Sequence, residues 1–228
     1  MEHDVTVIIT NYKTYNLTRM AVESLCKFYA RLPLIVIDNG SKDASTRYIM
    51  GLACNLNTRV ILNDNNIGHG PALHQGMLEA KTRYVLMLDS DCIVNKVGFI
   101  EIMYSWFVAN PILYAAGWKR CVDAYSGVST DDNVCGTGKE GFCWYIHPAV
   151  AMYDREKYIT LEPFCNDGAP VLNNMRSAIA VGYGLEAFPV EQYVTHLVAG
   201  TRRMWGGRWD IGNTNPQKDW DPNGNYPI

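Results

Sequence analysis

The hydrophobic positions of this chain come in short continuous runs, each cut off abruptly by polar residues. Asp4–Thr10 (DVTVIIT), Leu32–Asp38 (LPLIVID), Arg59–Asp64 (RVILND) and Arg83–Asp89 (RYVLMLD) share this form and are rich in β-branched residues. A strand with one face in water alternates apolar and polar residues; a strand covered on both faces does not. The four runs therefore predict buried strands of a parallel sheet. Helical spacing lies between them. Leu17, Met20, Ala21, Ser24, Leu25 and Phe28 share one face of a helix over Asn16–Tyr29. A second helix starts at the cap Ser41-Lys42-Asp43 and runs to Leu52. A third follows Gly70-Pro71, where a first turn tolerates proline, and carries Leu73, Gly76, Met77 and Ala80. The βαβαβαβ succession predicts a Rossmann-like, doubly wound α/β unit: a mostly parallel central sheet flanked by helices.

After Asp91 the rhythm breaks. A helix is expected over Val97–Val108 and a strand over Ile112–Ala116. Gly117–Gly141 has few apolar anchors and predicts a long irregular loop or short antiparallel strands. Phe142–Tyr153 and Tyr193–Val198 look like strands, and Pro170–Val181 like a helix. From Met204 onward three tryptophans stand among Gly, Asn and Pro, as in a lid or a tail packed over a site.

Composition narrows the possible functions. The 228 residues are 48% hydrophobic and 19% charged, as in an ordinary globular domain. A net charge of -3 gives no reason to expect nucleic acid, and Arg202-Arg203 is too short to form a basic groove. The N-terminal residues lack the basic and apolar regions of a signal peptide, and no apolar run is long enough to span a membrane. The seven cysteines form no CxxC pair. Buried free thiols in a reducing compartment are the expectation, rather than a disulfide framework or a structural zinc site. A soluble, cytoplasmic protein is expected.

In an open parallel sheet, ligands bind beyond the carboxyl ends of the strands. Those ends here read Thr10-Asn11-Tyr12, Asp38-Asn39-Gly40-Ser41-Lys42-Asp43, Asn63-Asp64-Asn65-Asn66-Ile67-Gly68 and Asp89-Ser90-Asp91. Any one of them reads well as a turn or a helix cap, because Asn, Asp, Gly and Ser are turn residues. Four on one edge ask for more. Two carboxylates one residue apart, directly after a buried strand, suit a hard cation such as Mg²⁺ or Mn²⁺ that bridges to phosphate.

These segments, VTVIITNYKTYNLTRMAVESL, LIVIDNGSKD, NDNNIGHGPALHQGM and YVLMLDSDCIV, resemble in order and spacing the family 2 glycosyltransferases, which have the GT-A fold. The resemblance covers the first 110 residues or so. It implies one domain over 1–228, with a nucleotide-binding half (1–92), an acceptor-binding half (93–203) and an irregular tail or lid (204–228). It places Thr10, Tyr12 and Asp38 at the nucleotide base with Asn39 beside them. Gly68 of the Asn66-Ile67-Gly68 turn would close over the nucleotide. Asp89 and Asp91 would hold Mn²⁺ or Mg²⁺ and the ribose–diphosphate side of a UDP- or GDP-type sugar donor. Leu73-His74-Gln75 stands where many members carry an amide pair, a departure from the pattern. By the same resemblance His196 is the candidate third metal ligand, against the plain reading of a strand histidine with a local hydrogen bond. Arg202 and Arg203 are candidates for the diphosphate, against a solvated pair.

The family is generally inverting, so one carboxylate should take the proton of the acceptor hydroxyl as it attacks the anomeric carbon. Asp167, in the turn FCNDGAP, is the candidate base; its alternative role is a helix cap, and Asp131, Asp132, Glu140 and Glu162 are its rivals. Trp118, Trp144 and the tail tryptophans are candidates for a sugar-stacking platform on a glycan or other hydroxyl acceptor, or else core residues. Two other readings compete with glycosyl transfer. A nucleotidylyltransferase would carry a glycine-rich basic loop where this chain has TNYKTYN. A non-catalytic nucleotide-sugar-binding domain would keep the fold alone. The absence of a GxGxxG after the first strand argues against a dinucleotide dehydrogenase.

Overall fold

The computed structural model describes residues 4–125, 127, 129–165, 169–197 and 200–201. Its first half runs β1 (Val5–Asn11), α1 (Tyr15–Tyr29), β2 (Leu34–Asp38), α2 (Ala44–Leu52), β3 (Thr58–Leu62), α3 (His69–Glu79) and β4 (Tyr84–Leu88). These are the seven expected elements, displaced by about two residues at most. The second half runs β5 (Cys92–Val94), α4 (Phe99–Ala109), β6 (Leu113–Asp123), α5 (Asp132–Gly136), β7 (Phe142–Asp154), α6 (Arg155–Tyr158), α7 (Leu172–Ala180) and β8 (Gly184–Ala187). A 3-10 turn at Val190–Gln192 then leads into β9 (Val194–His196).

Seven strands form one sheet in the order β3-β2-β1-β4-β7-β6-β8, and only β7 runs against the others. Successive residues of the central strands feed opposite faces. Val5, Val7, Ile9, Leu34, Val36, Leu86 and Leu88 join one core with α1 and α4, whereas Ile8, Ile35, Ile37, Val85 and Met87 join another with α3 and α7. This two-sided burial explains the unbroken apolar runs: neither face of these strands has a polar requirement.

In the second half β5, β8 and the short helices α5 and α6 have no counterpart among the expected elements, and the largest departure is at β6. β6 does not stop at Ala116 but continues to Asp123, pairing with β7 from Phe142 to His147 as a twisted ribbon. Three bonds at Cys121 hold it. Asp132 accepts from the Cys121 N–H at 2.8 Å, Thr130 N–H donates to the Cys121 carbonyl at 2.9 Å, and Cys121 is in a disulfide with Cys135. Polar, glycine-rich sequence hid a strand that is stabilised by a cross-link and a side-chain cap rather than by apolar periodicity.

The disulfide corrects the expectation that every cysteine is a buried free thiol. Of the other five, Cys92 is buried, Cys26 and Cys143 are half-buried, and Cys54 and Cys165 are exposed. Disulfides persist in oxidising surroundings, so this pair counts against a reducing compartment. Among the described residues no helix is long and apolar enough to cross a membrane. Alkylation of the denatured, unreduced protein should label five cysteines, and seven after reduction; mass spectrometry showing seven labels without reductant would rule the disulfide out.

Candidate active site

The carboxyl ends of β1, β2 and β4 lie side by side, and their polar residues bond mainly to one another. Asn11, 1% exposed, is the junction. Its amide donates to Asp38 Oδ1 at 2.8 Å and to Ser41 Oγ at 2.9 Å. Its oxygen accepts from the Thr14 and Thr18 hydroxyls at 2.9 and 2.7 Å. Thr14 Oγ1 also reaches Ser90 Oγ at 3.3 Å, which ties the first loop to the Asp89-Ser90-Asp91 turn. Asp38 is buried as well. Its second oxygen accepts from the Thr46 hydroxyl at 2.6 Å, and Ser41 N–H donates to the first at 3.3 Å. Asn39 continues the network into the third loop. It donates to Asn66 Oδ1 and the Gly68 carbonyl and accepts from Asn63 Nδ2 and Ile67 N–H, at 2.7 to 3.2 Å. A buried polar group left unpaired is costly, and here each is paired with a neighbouring loop.

Beyond this network lie the acids that follow β4. Asp89 is partly open and Asp91 is buried. β5 begins immediately after them and pairs antiparallel with β9, setting Cys92 opposite His196. His196 Nε2 thereby comes to 3.4 Å from Asp91 Oδ1. The other Asp91 oxygen accepts from the backbone N–H and hydroxyl of Thr201, each at 3.3 Å. His69, at the start of α3, places Nε2 3.5 Å from Asp89 Oδ1. His147 on β7 packs its ring 5.9 Å from that of His196, and Trp118 stands 5.9 Å from His196 and 5.7 Å from His147. Three of the chain's five histidines thus converge on two aspartates.

The electrostatics follow from that convergence. Burial alone would raise the Asp89 carboxyl, but His69 first, and then His147 and His196, outweigh it and hold Asp89 below the usual range. Burial likewise works to lower His196, yet Asp91 with Asp89 behind it raises that imidazole above its ordinary value. For His147 burial prevails and the imidazole is pushed down.

Ligand atoms of Asp91, Cys92 and His196 lie within 4.8 Å of one another. Cys92 fits a metal poorly. Its thiol is fully buried in the apolar core, raised well above the usual thiol range by that burial, and bonded to the Ala149 carbonyl at 3.4 Å. His196 fits well, because its Nδ1 is buried with no hydrogen-bond partner among the described residues while Nε2 faces a carboxylate. A carboxylate–imidazole pair so placed is a donor set for a divalent cation.

The model of the family described as glycosyl transferase family 2 matches residues 6–160. The chain belongs to glycosyl transferase family 2. It is similar to Glycosyltransferase GlyG of Streptococcus pneumoniae serotype 4, 31% identical over 106 residues that cover 46% of this chain and 35% of that protein. Its fold is similar to that of the mannosyltransferase PcManGT from Pyrobaculum calidifontis, solved with GDP-Man and Mn²⁺, at a TM-score of 0.62 and 19% identity over 82% of this chain and 55% of that one. It is similar also to S. aureus TarS 1–349, solved with UDP-GlcNAc, at a TM-score of 0.61 and 15% identity over 83% of this chain and 57% of that one. The architecture is the GT-A fold. The chain spans about a third of the length of the curated relative and little more than half of each of these structures.

In this family 2 chain the residues singled out by sequence separate into groups. Asp89, Asp91 and His196 come together. Thr10 is half-buried on β1 beside Ile37, and Tyr12 packs, as Met20 and Leu197 do, against buried Leu17, with Lys13 Nζ 5.2 Å from the tyrosine ring centroid. Asp38, Asn39 and Gly68 are the ties between loops. At the departure from the family pattern, His74 bonds Tyr158 at 2.6 Å and Gln75 accepts from Asn63, so both are used internally. Trp118 lines the histidine group, while Trp144 stacks with Lys119, 4.7 Å from its ring centroid. Asp167, Arg202, Arg203 and the tail lie outside the described residues.

Sequence reasoning missed His69 and His147. His147 did carry a signal: Pro148 interrupts an apolar strand, and proline inside a sheet marks an edge or a bulge.

Gly40 is where the second and third loops touch. Its φ is +80°, and a Cβ there would lie 2.5 Å from the Asn65 backbone carbon. Gly40→Ala should lower unfolding free energy by about 1–3 kcal/mol. Gly51→Ala, on a helix with open space around it, should be neutral or stabilising by up to about 1 kcal/mol. Urea unfolding of both variants checks the contrast.

Proposed function

We propose that this protein is a metal-dependent, inverting glycosyltransferase that moves a sugar from a nucleoside-diphosphate donor to an acceptor hydroxyl. The observation that carries this reading is the placement of Asp91 and His196 at 3.4 Å on the carboxyl edge of the sheet, next to Asp89. Family membership, the sugar nucleotides held by the two structural neighbours and the Mn²⁺ held by one of them support it.

Asp91 and His196 would hold the cation, with Asp89 beside it. Mn²⁺ or Mg²⁺ would serve, the imidazole nitrogen favouring Mn²⁺ because Mg²⁺ prefers an all-oxygen shell. The cation, when bound, neutralises charge developing on the departing diphosphate. The Asn11 and Asn39 networks hold the loops around the nucleotide, so that less ordering is required on binding. Thr10 and Tyr12 would meet the base, the tyrosine ring serving as a stacking face.

In the transfer step the acceptor oxygen bonds to the anomeric carbon, the bond from that carbon to the phosphate oxygen breaks, and the acceptor proton passes to a carboxylate. Asp167 is proposed as that base on its sequence context. Two rivals are already employed: Asp131 caps α5 by accepting from Asn133 N–H at 2.9 Å, and Asp132 accepts from Cys121 N–H.

Asp91→Ala should cut transfer by more than about 100-fold, beyond the 10- to 100-fold usual for an outer partner of a metal. Asp167→Asn should abolish transfer while leaving sugar-nucleotide binding near the unsubstituted value. A chelator should silence the unsubstituted protein and added Mn²⁺ restore it. Turnover of a panel of UDP- and GDP-sugars by Asp91→Ala, undiminished from the unsubstituted protein, would overturn the reading.

A further inference from the structure

The β6–β7 ladder loses register between the pair Gly117–Ala151 and the pair Trp118–His147, so Pro148, Ala149 and Val150 stand out of step with β6. Pro148 has no N–H to give the ladder, and irregularities of this kind re-aim side chains near active sites. Ala149 is bonded in two directions. Its N–H donates to His147 Nδ1 at 3.2 Å, and its carbonyl accepts from Asp89 N–H at 2.9 Å. One residue therefore orients both the His147 ring and the backbone of Asp89.

That first bond also sets the chemistry of the ring. An Nδ1 that accepts carries no proton, so the neutral imidazole bears its proton on Nε2. Among the described residues no protein acceptor takes that proton. The other two imidazoles of the cluster are directed at carboxylates, His69 at Asp89 and His196 at Asp91. A diphosphate lying beside two aspartates is repelled by both. Of the three imidazoles described at this site, His147 is the one whose Nε2 is not directed at a carboxylate.

We propose that His147 is a donor-binding residue, its Nε2–H bonding an anionic oxygen of the nucleoside diphosphate beside Asp89 and Asp91. The inference rests on the glycosyltransferase reading above and adds a binding group on β7 to it. A bond from a neutral N–H to a charged phosphate oxygen is of the stronger kind.

Two substitutions separate this role from a merely structural one. His147→Asn keeps an acceptor where Nδ1 stands, and so keeps the Ala149 bond, but loses the far N–H. His147→Gln places an amide N–H near the Nε2 position and gives up the Ala149 bond. Binding of UDP and GDP, each with Mn²⁺, is measured by calorimetry on the full chain, alongside thermal unfolding. His147→Asn should weaken binding of the better nucleotide about tenfold with its melting temperature little changed, while His147→Gln recovers most of the affinity. The inference is overturned if His147→Asn binds as the unsubstituted protein does, if the order of the two variants is reversed, or if both lose equally. In those cases the ring serves the bulge or the packing against Trp118. If the unsubstituted protein binds neither nucleotide with Mn²⁺, the glycosyltransferase reading fails and this inference falls with it, a result distinct from the other three.

Discussion

The side-chain amide of Asn11 holds together the edge on which the site is built. A parallel sheet ends its strands in a row, and every backbone and side-chain polar group in that row must find a partner once it is covered. Asn11 meets that requirement with both ends of its amide. It gives two hydrogen bonds to the second loop, at Asp38 and Ser41, and takes two from hydroxyls at the start of α1. From Thr14 the chain of contacts reaches Ser90, between the two aspartates. From the second loop Asn39 reaches Asn63, Asn66 and Gly68 in the third. Removing the Asn11 amide would leave buried Asp38 short of a donor and leave the first and second loops joined by the bonds from Lys13 N–H to Ser41 Oγ and from Asn39 N–H to the Asn11 carbonyl.

The other organising device is topological. Four parallel strands from the first half put the aspartates on the edge, but a single antiparallel strand, β7, and the short β5–β9 pair bring two of the three histidines to them. His196 is opposite Cys92 because those two strands pair, and His147 is aimed by the irregularity at Pro148–Val150. The negative end of the site comes from the first half of the chain and most of the imidazole from the second.

That division explains what could be read from the residues alone. Val5–Ile9, Leu34–Ile37 and Val85–Leu88 are apolar on both faces, so their strands and the polar loops after them are visible in the sequence. Asp89 and Asp91 stand out for the same reason. Asp38 and Asn39 are visible as polar loop residues, but their work of tying loops together depends on partners 24 to 29 positions away, which periodicity does not reveal. The pairing of β5 with β9 joins residues about 100 positions apart, and three-residue strands carry too little pattern to announce themselves. The extension of β6 through Gly117–Asp123 was hidden because a disulfide and the Asp132 side chain stabilise it in place of an apolar face.

The account stands or falls on whether the Asp91–His196 pair holds a divalent cation together with a nucleoside diphosphate. Electron spin-echo envelope modulation of Mn²⁺ added with the better-binding nucleoside diphosphate reads this directly, because a bound imidazole nitrogen modulates the echo. The account predicts that nitrogen modulation in the unsubstituted protein and its loss in His196→Asn, with the ion still bound. Protein-bound Mn²⁺ without imidazole nitrogen, or the same modulation in His196→Asn, would contradict it.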